Sequence, residues 1–321
     1  MRLSLRQIES ITVGAMQIWE NVDGVHFCKM TPSQLDGFAL IDDFIYGNAK
    51  TSTGVRLDFW TDSPWVKFRP TVTGKYEVKV DGVLTNHRHA TADEDTLVDV
   101  SNDEKLHRVT IHLPGHNVTA GIKLLEIADG CVARQHVFDR KFLFLGDSIT
   151  QGWNSEIDTL SYAYQVSDHF NAESVIQGVG GAFFDATTLD RGDFEPDTVF
   201  VAFGTNDARR FHSLDAIHLR CEDYIKKVLK LFPEAQIYVI TPIWCGDFDT
   251  IELPYGHVRE VNATIADAAH QFGITVIDGL QMIPHEMTYF ADDLHPNTEG
   301  FCVYAENLIK ALENKKNTIL E

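Results

Sequence analysis

The sequence predicts two domains of different class, an all-β sandwich or jelly roll followed by an α/β domain built on a parallel sheet. Three observations carry this reading. From about Gly14 to Ile127 apolar residues tend to recur at every second position, as in Tyr76, Val78 and Val80 and again in Val109, Ile111 and Leu113. That is the period of a strand with one buried face. After about Val137 the pattern changes to short apolar runs separated by longer amphipathic stretches, the alternation that builds strand–helix–strand units. The length, 321 residues, also exceeds what one core ordinarily takes, so two cores are expected.

In the first half, turn signals such as Asp81-Gly82 and Pro114-Gly115 separate the short strands, and no long helix interrupts them. Several strands at that spacing suggest two packed sheets. The first ten residues fit neither period. Asp129-Gly130 closes the β pattern, which places the boundary near residue 135 and gives domains 1–135 and 136–321. In the second half the apolar runs are Phe142–Leu145, Ser174–Ile176, Thr198–Phe203, Ile237–Ile240 and Thr275–Ile277. Helices are predicted over Leu214–Phe232 and Val258–Phe272, with a last one beginning near Thr298. Such an alternation implies a parallel sheet covered on both faces with right-handed crossovers. Active residues are then expected at the carboxyl ends of the strands.

Composition narrows the function. Hydrophobic residues make up 44% and charged residues 23%, the balance of a globular chain with a sizeable interior. The formal net charge of -20 repels nucleic-acid phosphates and anionic membrane surfaces, so neither partner is expected. No stretch approaches the roughly 20 apolar residues of a membrane span, and a cytoplasmic location is the default expectation. Cys28, Cys131, Cys221, Cys245 and Cys302 are scattered and form no CxxC pair. They suggest buried free thiols rather than a disulfide framework or zinc site, and no spacing of ligating residues calls for a metal or cofactor.

The chemistry concentrates at the ends of the predicted parallel strands. The first ends in Gly146-Asp147-Ser148-Ile149-Thr150-Gln151-Gly152, where glycines permit a tight turn that brings a serine hydroxyl to the sheet rim. The flanking glycines are not spaced as in the G-x-S-x-G elbow. The second strand runs into Gln177-Gly178-Val179-Gly180-Gly181 and the third into Phe203-Gly204-Thr205-Asn206-Asp207, both able to point N–H donors at a substrate oxygen. Near the C-terminus comes Asp292-Asp293-Leu294-His295-Pro296, with an acid three residues before a histidine, one helical turn away if the segment is helical.

Together these four segments resemble, in order and rough spacing, the blocks of the SGNH (GDSL-type) hydrolases, over about residues 138 to 316. The resemblance implies a flavodoxin-like, doubly wound five-stranded sheet and a serine esterase. It assigns Ser148 as nucleophile, His295 as base and Asp292 as the third member of a triad. The oxyanion hole is implied to be the Ser148 N–H, the Gly181 N–H and the Asn206 amide. The second block often carries Asn before its glycines; here Ile176 stands there, and Gly180 competes with Gly181. The first half is similar, more weakly and through Thr53–Phe59 and Thr61–Pro64, to the β-sandwich domain of some two-domain SGNH esterases, including bacterial carbohydrate deacetylases. That likeness favours short acyl, and above all acetyl, esters on carbohydrate. Lipase, lysophospholipase and thioesterase activity are the alternatives within the superfamily, and a non-catalytic carbohydrate-binding protein is the rival class. Trp153, Trp244, Tyr255 and His257 are candidates to line the substrate pocket. Trp60 and Trp65, in the first half, are read as packing residues in preference to sugar platforms.

Overall fold

A computed structural model describes residues 1–85, 89–115, 118–248, 250–314 and 319–320. The chain divides into two compact units. One is Met1–Thr31 with Lys50–Phe138, and the other is Pro32–Ala49 with Asp139–Glu321. The second unit thus takes Pro32–Ala49, a stretch that the sequence reading placed in the first half. It forms two short helices, Pro32–Ala39 and Asp43–Ala49, whose 8 and 7 residues are too few for a helical period to stand out.

In the first unit, period-two sequence becomes period-two burial. Trp65–Pro70 alternates half-buried and buried positions along its whole length. Eight strands, Gly24–Cys28, Arg56–Thr61, Trp65–Pro70, Glu77–Val80, Val83–Leu84, Thr96–Asp99, His107–His112 and Gly121–Ile127, are divided between two antiparallel sheets. In chain order the sheets run first-eighth-third-sixth and second-seventh-fourth-fifth, which is the strand order of a jelly roll. Gln17–Asn21 extends one sheet beside the first strand, and Thr12–Val13 and Ala133–Gln135 pair with Arg56–Thr61 in the other. Phe27, Phe68 and Leu125 from one sheet and Leu57, Phe59 and Ile111 from the other share a single apolar core. The turn at Asp81-Gly82 has positive φ at both residues, 50° and 79°, the two-residue hairpin geometry that an Asp-Gly pair supports best. Residues Leu5–Ile11 are helical and bury Ile8 and Ile11. The indole N–H of Trp60 donates to His136 Nδ1 at 3.0 Å, which ties that ring into its own unit.

In the second unit the parallel strands are Arg140–Gly146, Ala172–Gly178, Thr198–Ala202, Gln236–Ile240 and Thr275–Ile277, in spatial order 2-1-3-4-5. This is the flavodoxin-like order, and each strand lies over one of the apolar runs read from the sequence. Ile319–Leu320 adds a two-residue antiparallel strand beside Thr275–Ile277. The central strands read as continuous apolar runs because both faces are covered: Val199, Phe200 and Val201 in succession are fully buried. Helix Leu214–Leu231 packs against Val258–His270, and Tyr162–His169 against Thr298–Asn314. In Leu214–Leu231 the buried residues Ile217, Cys221, Tyr224, Ile225 and Val228 recur at intervals of three and four, and Ser213 caps the first turn through Ala216 N–H. All five cysteines are free, with Cys28, Cys221 and Cys245 buried and Cys131 and Cys302 half-buried. Among the described residues no helix is long and apolar enough to cross a membrane.

Candidate active site

The turn that presents Ser148 is built by exclusion of side chains. Strand Arg140–Gly146 lies between its two parallel neighbours and ends in a four-residue helix, Ser148–Gln151. Asp147 caps that helix by accepting from Ile149 N–H at 2.9 Å, and Gly152, with φ of 86°, ends it. A Cβ on Gly146 would lie 2.1 Å from Thr150 Oγ1, and one on Gly178 would lie 2.2 Å from Gln151 N. Glycine at both strand ends therefore lets the helix settle directly onto the sheet.

Ser148 is 5% exposed, and its Oγ lies 2.9 Å from His295 Nε2. On the far side of the ring, Nδ1 is 3.0 Å from Asp292 Oδ2. A carboxylate can only accept, so Nδ1 carries the proton and Nε2 accepts from the serine hydroxyl. The segment Asp292–His295 is not the helical turn considered from its spacing. Instead Asp292 Oδ1 accepts from Leu294 N–H at 2.8 Å and His295 N–H at 2.6 Å, a side-chain-closed turn of the kind aspartate favours. Ala291 N–H bonds to His295 O and Phe290 pairs with Pro296, which closes the loop. Partial burial would raise the Asp292 carboxyl, but the backbone N–H and imidazole of His295, with Leu294 N–H, outweigh it and hold the group down at about 2. Asp293 has an exposed side chain, and its contribution is a backbone carbonyl that accepts from Gly246 N–H.

The three candidate donors differ in what already occupies them. Ser148 is the first residue of its helix, a position whose N–H has no intrahelical partner. Gly180 N–H is occupied by Gln151 Oε1 at 2.6 Å, while Gly181 N–H has no partner among the described residues. The Asn206 amide gives one hydrogen to Ala182 O at 2.8 Å and keeps a second. Gly204, with φ of 120°, starts the helix Thr205–Arg210 that carries Asn206, and a Cβ there would meet Ile265 at 2.5 Å and Pro242 at 2.6 Å.

Several residues here were not singled out from the sequence. Asn154, at φ of 68°, donates through Nδ2 to Asp292 Oδ2 at 2.8 Å. Asp147 and Asp207 are buried carboxyls, raised to about 6 and about 7 by desolvation. Asp207 Oδ1 accepts from Phe184 N–H, and its Oδ2 has no hydrogen-bond partner among the described residues. Phe44, Ile45 and Asn48, from the helix Asp43–Ala49, border Gly180 and Gly181.

The four candidate lining residues separate. Trp153 adjoins His295, with ring centroids 5.5 Å apart, and its buried indole N–H has no partner among the described residues. Trp244 stacks on His285 at 5.5 Å and meets Phe290, at the base of the histidine loop, edge-on. The Tyr255 hydroxyl donates to Ala208 O at 2.5 Å. His257 is exposed and serves as the N-cap of Val258–His270, with its own N–H held by Glu260.

Residues 144–301, which span the serine turn, both donor segments and the Asp–His loop, match the model of the GDSL-like lipase/acylhydrolase family. The match spans most of the second unit and makes the protein a carboxylic ester hydrolase. Both units together share their fold with several solved structures. The salicylyl-acyltransferase SsfX3 from a tetracycline biosynthetic pathway is similar over 95% of this chain and 94% of its own, with a TM-score of 0.81 and 16% identity. A GDSL-like lipase from Bacteroides ovatus covers 98% and 97%, with a TM-score of 0.73 and 15% identity. Est2A, an acetyl xylan esterase from Butyrivibrio proteoclasticus, covers 98% and 98%, with a TM-score of 0.64 and 15% identity. No curated protein matches the sequence.

Proposed function

We propose that the protein hydrolyses short-chain acyl esters, acetyl esters of carbohydrates foremost, by a Ser148–His295–Asp292 triad and an acyl-enzyme. The observation that carries this is the unbroken hydrogen-bonded series from Asp292 through both imidazole nitrogens to Ser148 Oγ. As Oγ attacks the ester carbonyl, His295 Nε2 takes its proton, and Asp292, ionised throughout the working range, holds the tautomer and stabilises the imidazolium. The developing oxyanion is held by Ser148 N–H, Gly181 N–H and the free Asn206 hydrogen. Engagement of Gly180 N–H with Gln151 favours Gly181 in this role. His295 then protonates the leaving alcohol, and water repeats the sequence on the acyl-enzyme.

The preference for carbohydrate acetates rests on fold likeness to proteins named as carbohydrate esterases, including the acetyl xylan esterase. Trp153 is proposed to line the pocket beside His295, and Trp244 to support the histidine loop through Phe290. Tyr255 and His257 are engaged in holding helix Thr205–Arg210 and capping Val258–His270. The test is Ser148→Ala on p-nitrophenyl acetate and an acetylated xyloside. Turnover should fall by at least about a thousandfold, with the melting temperature nearly unchanged. Persisting activity would remove Ser148 from its role. Octanoyl or palmitoyl esters outrunning acetyl esters in the parent would favour the lipase alternative.

A further inference from the structure

We infer that Phe44, carried into the second unit by Pro32–Ala49, forms with Trp153 an aromatic wall that binds the leaving-group side of the ester. The inference rests on the triad proposed above. It begins from how firmly the two short helices are fixed. Gln34 and Gln177 exchange buried amide hydrogen bonds at 2.8 and 3.0 Å, and Gln34 also donates to Thr188 O at 3.2 Å. Gly37 approaches the backbone so closely that a Cβ would lie 2.6 Å from Thr187 O. Asp42 caps the second helix through Ile45 N–H at 2.7 Å, while Ile45 and Ala49 are 1% and 0% exposed.

One face of that second helix covers the donor loop. Phe44 and Asn48, four residues apart, share a face. A Cβ on Gly180 would meet Asn48 Cγ at 3.1 Å, and one on Gly181 would meet Phe44 Cε1 and Ile45 Cγ1 at 3.2 Å. Despite this close seat, Phe44 is 59% exposed. A single exposed apolar side chain is ordinary. This one continues an aromatic series, since its ring meets Trp153 edge-on at 6.0 Å and Trp153 lies 5.5 Å from the His295 imidazole.

The reaction fixes which part of the substrate meets that series. During acylation the Oγ–carbon bond forms, the carbon–oxygen bond to the alcohol breaks, and the proton taken from Ser148 passes from His295 Nε2 to the leaving oxygen. The leaving oxygen must lie within hydrogen-bond reach of the imidazole, so the group attached to it packs against whatever flanks that ring. Trp153 flanks it, and Phe44 extends the flank outward. Two rings set edge to face suit a flat apolar face, either an aryl ring or the C–H face of a pyranose.

Phe44→Ala and Phe44→Trp, assayed beside the parent, test the wall. With acetyl constant and the alcohol varied, Phe44→Ala should raise KM for phenyl acetate or an acetylated methyl xyloside, relative to ethyl acetate, by about three- to tenfold, and Phe44→Trp should restore it. With methanol constant and the acyl group varied, the ratio of methyl benzoate to methyl acetate should move less than twofold in either variant. Unmoved ratios for both the aryl and the sugar acetate would overturn the wall, and a benzoate ratio moving as far as theirs would overturn its placement on the alcohol side. An inactive parent would instead count against the triad, a result distinct from an active parent whose ratios ignore Phe44.

Discussion

The turns that present Ser148 and His295 and the helices of Pro32–Ala49 reach the same small region by different physics. Around Ser148 and His295 the structure is local and closed by backbone constraints. Gly146 and Gly178 leave no room for a Cβ, and the Asp292 carboxylate bonds to two N–H groups within three residues of itself. The Pro32–Ala49 helices are held by long-range packing instead, with Gln34 bonded to Gln177 across 143 positions. In the helix Asp43–Ala49, Gly47 has nothing within 4 Å of its would-be Cβ. The difference teaches where tolerance lies: the first region answers to single atoms throughout, whereas in the second only the seated side does, at Gly37 against Thr187 O, and the side at Gly47 is open.

The largest effect that would sharpen this contrast is expected at Asp292. Asp292→Asn should lower turnover by about a thousand- to ten-thousandfold, because an amide can hold the wrong imidazole tautomer. Asp293→Asn, with its exposed side chain, should stay within a few-fold of the parent on the same short ester. The assignment fails if the order is reversed. Next comes Asn206→Ala, with an expected loss of about a hundred- to a thousandfold, the usual consequence of removing one oxyanion donor. A variant within twofold of the parent would take Asn206 out of the donor set.

Smaller effects follow from the glycines. Gly178→Ala should cost on the order of 3 kcal/mol of stability, since the added methyl meets backbone that cannot rotate away. Gly47→Ala, in open space within a helix, should stabilise by about 0.5–1 kcal/mol. Chemical denaturation of both variants checks the pair, and equal effects would erase the contrast between the regions. A further effect is tied to pH. Burial raises the Asp207 carboxyl to about 7, above its unfolded value near 3.8, so the folded state binds the proton more tightly. Stability should therefore fall as pH rises through that window. Asp207→Asn cannot ionise and keeps an oxygen for Phe184 N–H, so its melting temperature should gain on the parent from about pH 5 to about pH 8. A gap that stays constant across that range would mean that Asp207 keeps one protonation state throughout.

What the sequence discloses follows the same division. The five parallel strands and the helices Leu214–Leu231, Val258–His270 and Thr298–Asn314 fall where the apolar patterns put them, because each is a long or fully buried run. The serine, glycine, asparagine and Asp–His segments stand out because each is a short string whose residues meet one another locally. Asn154 escapes such reading, since only its left-handed backbone and the return of the Asp292 loop bring the two together. Asp207 is visible as a letter beside Asn206, but the burial that raises it belongs to the packed fold. Phe44 is hidden for the strongest reason: seven residues of helix carry too little period to be seen, and its neighbours at Gly180 and Gly181 lie far along the chain.

The Gln34–Gln177 pair also sets a schedule. On the ribosome, at about 5–20 residues per second, roughly 7 to 30 seconds separate the synthesis of these two glutamines. Through that interval Phe38 and Ile45, buried in the finished protein, have no finished surface to meet. The nascent chain therefore carries an apolar segment in waiting, and slower elongation lengthens the time during which other chains or chaperones can capture it.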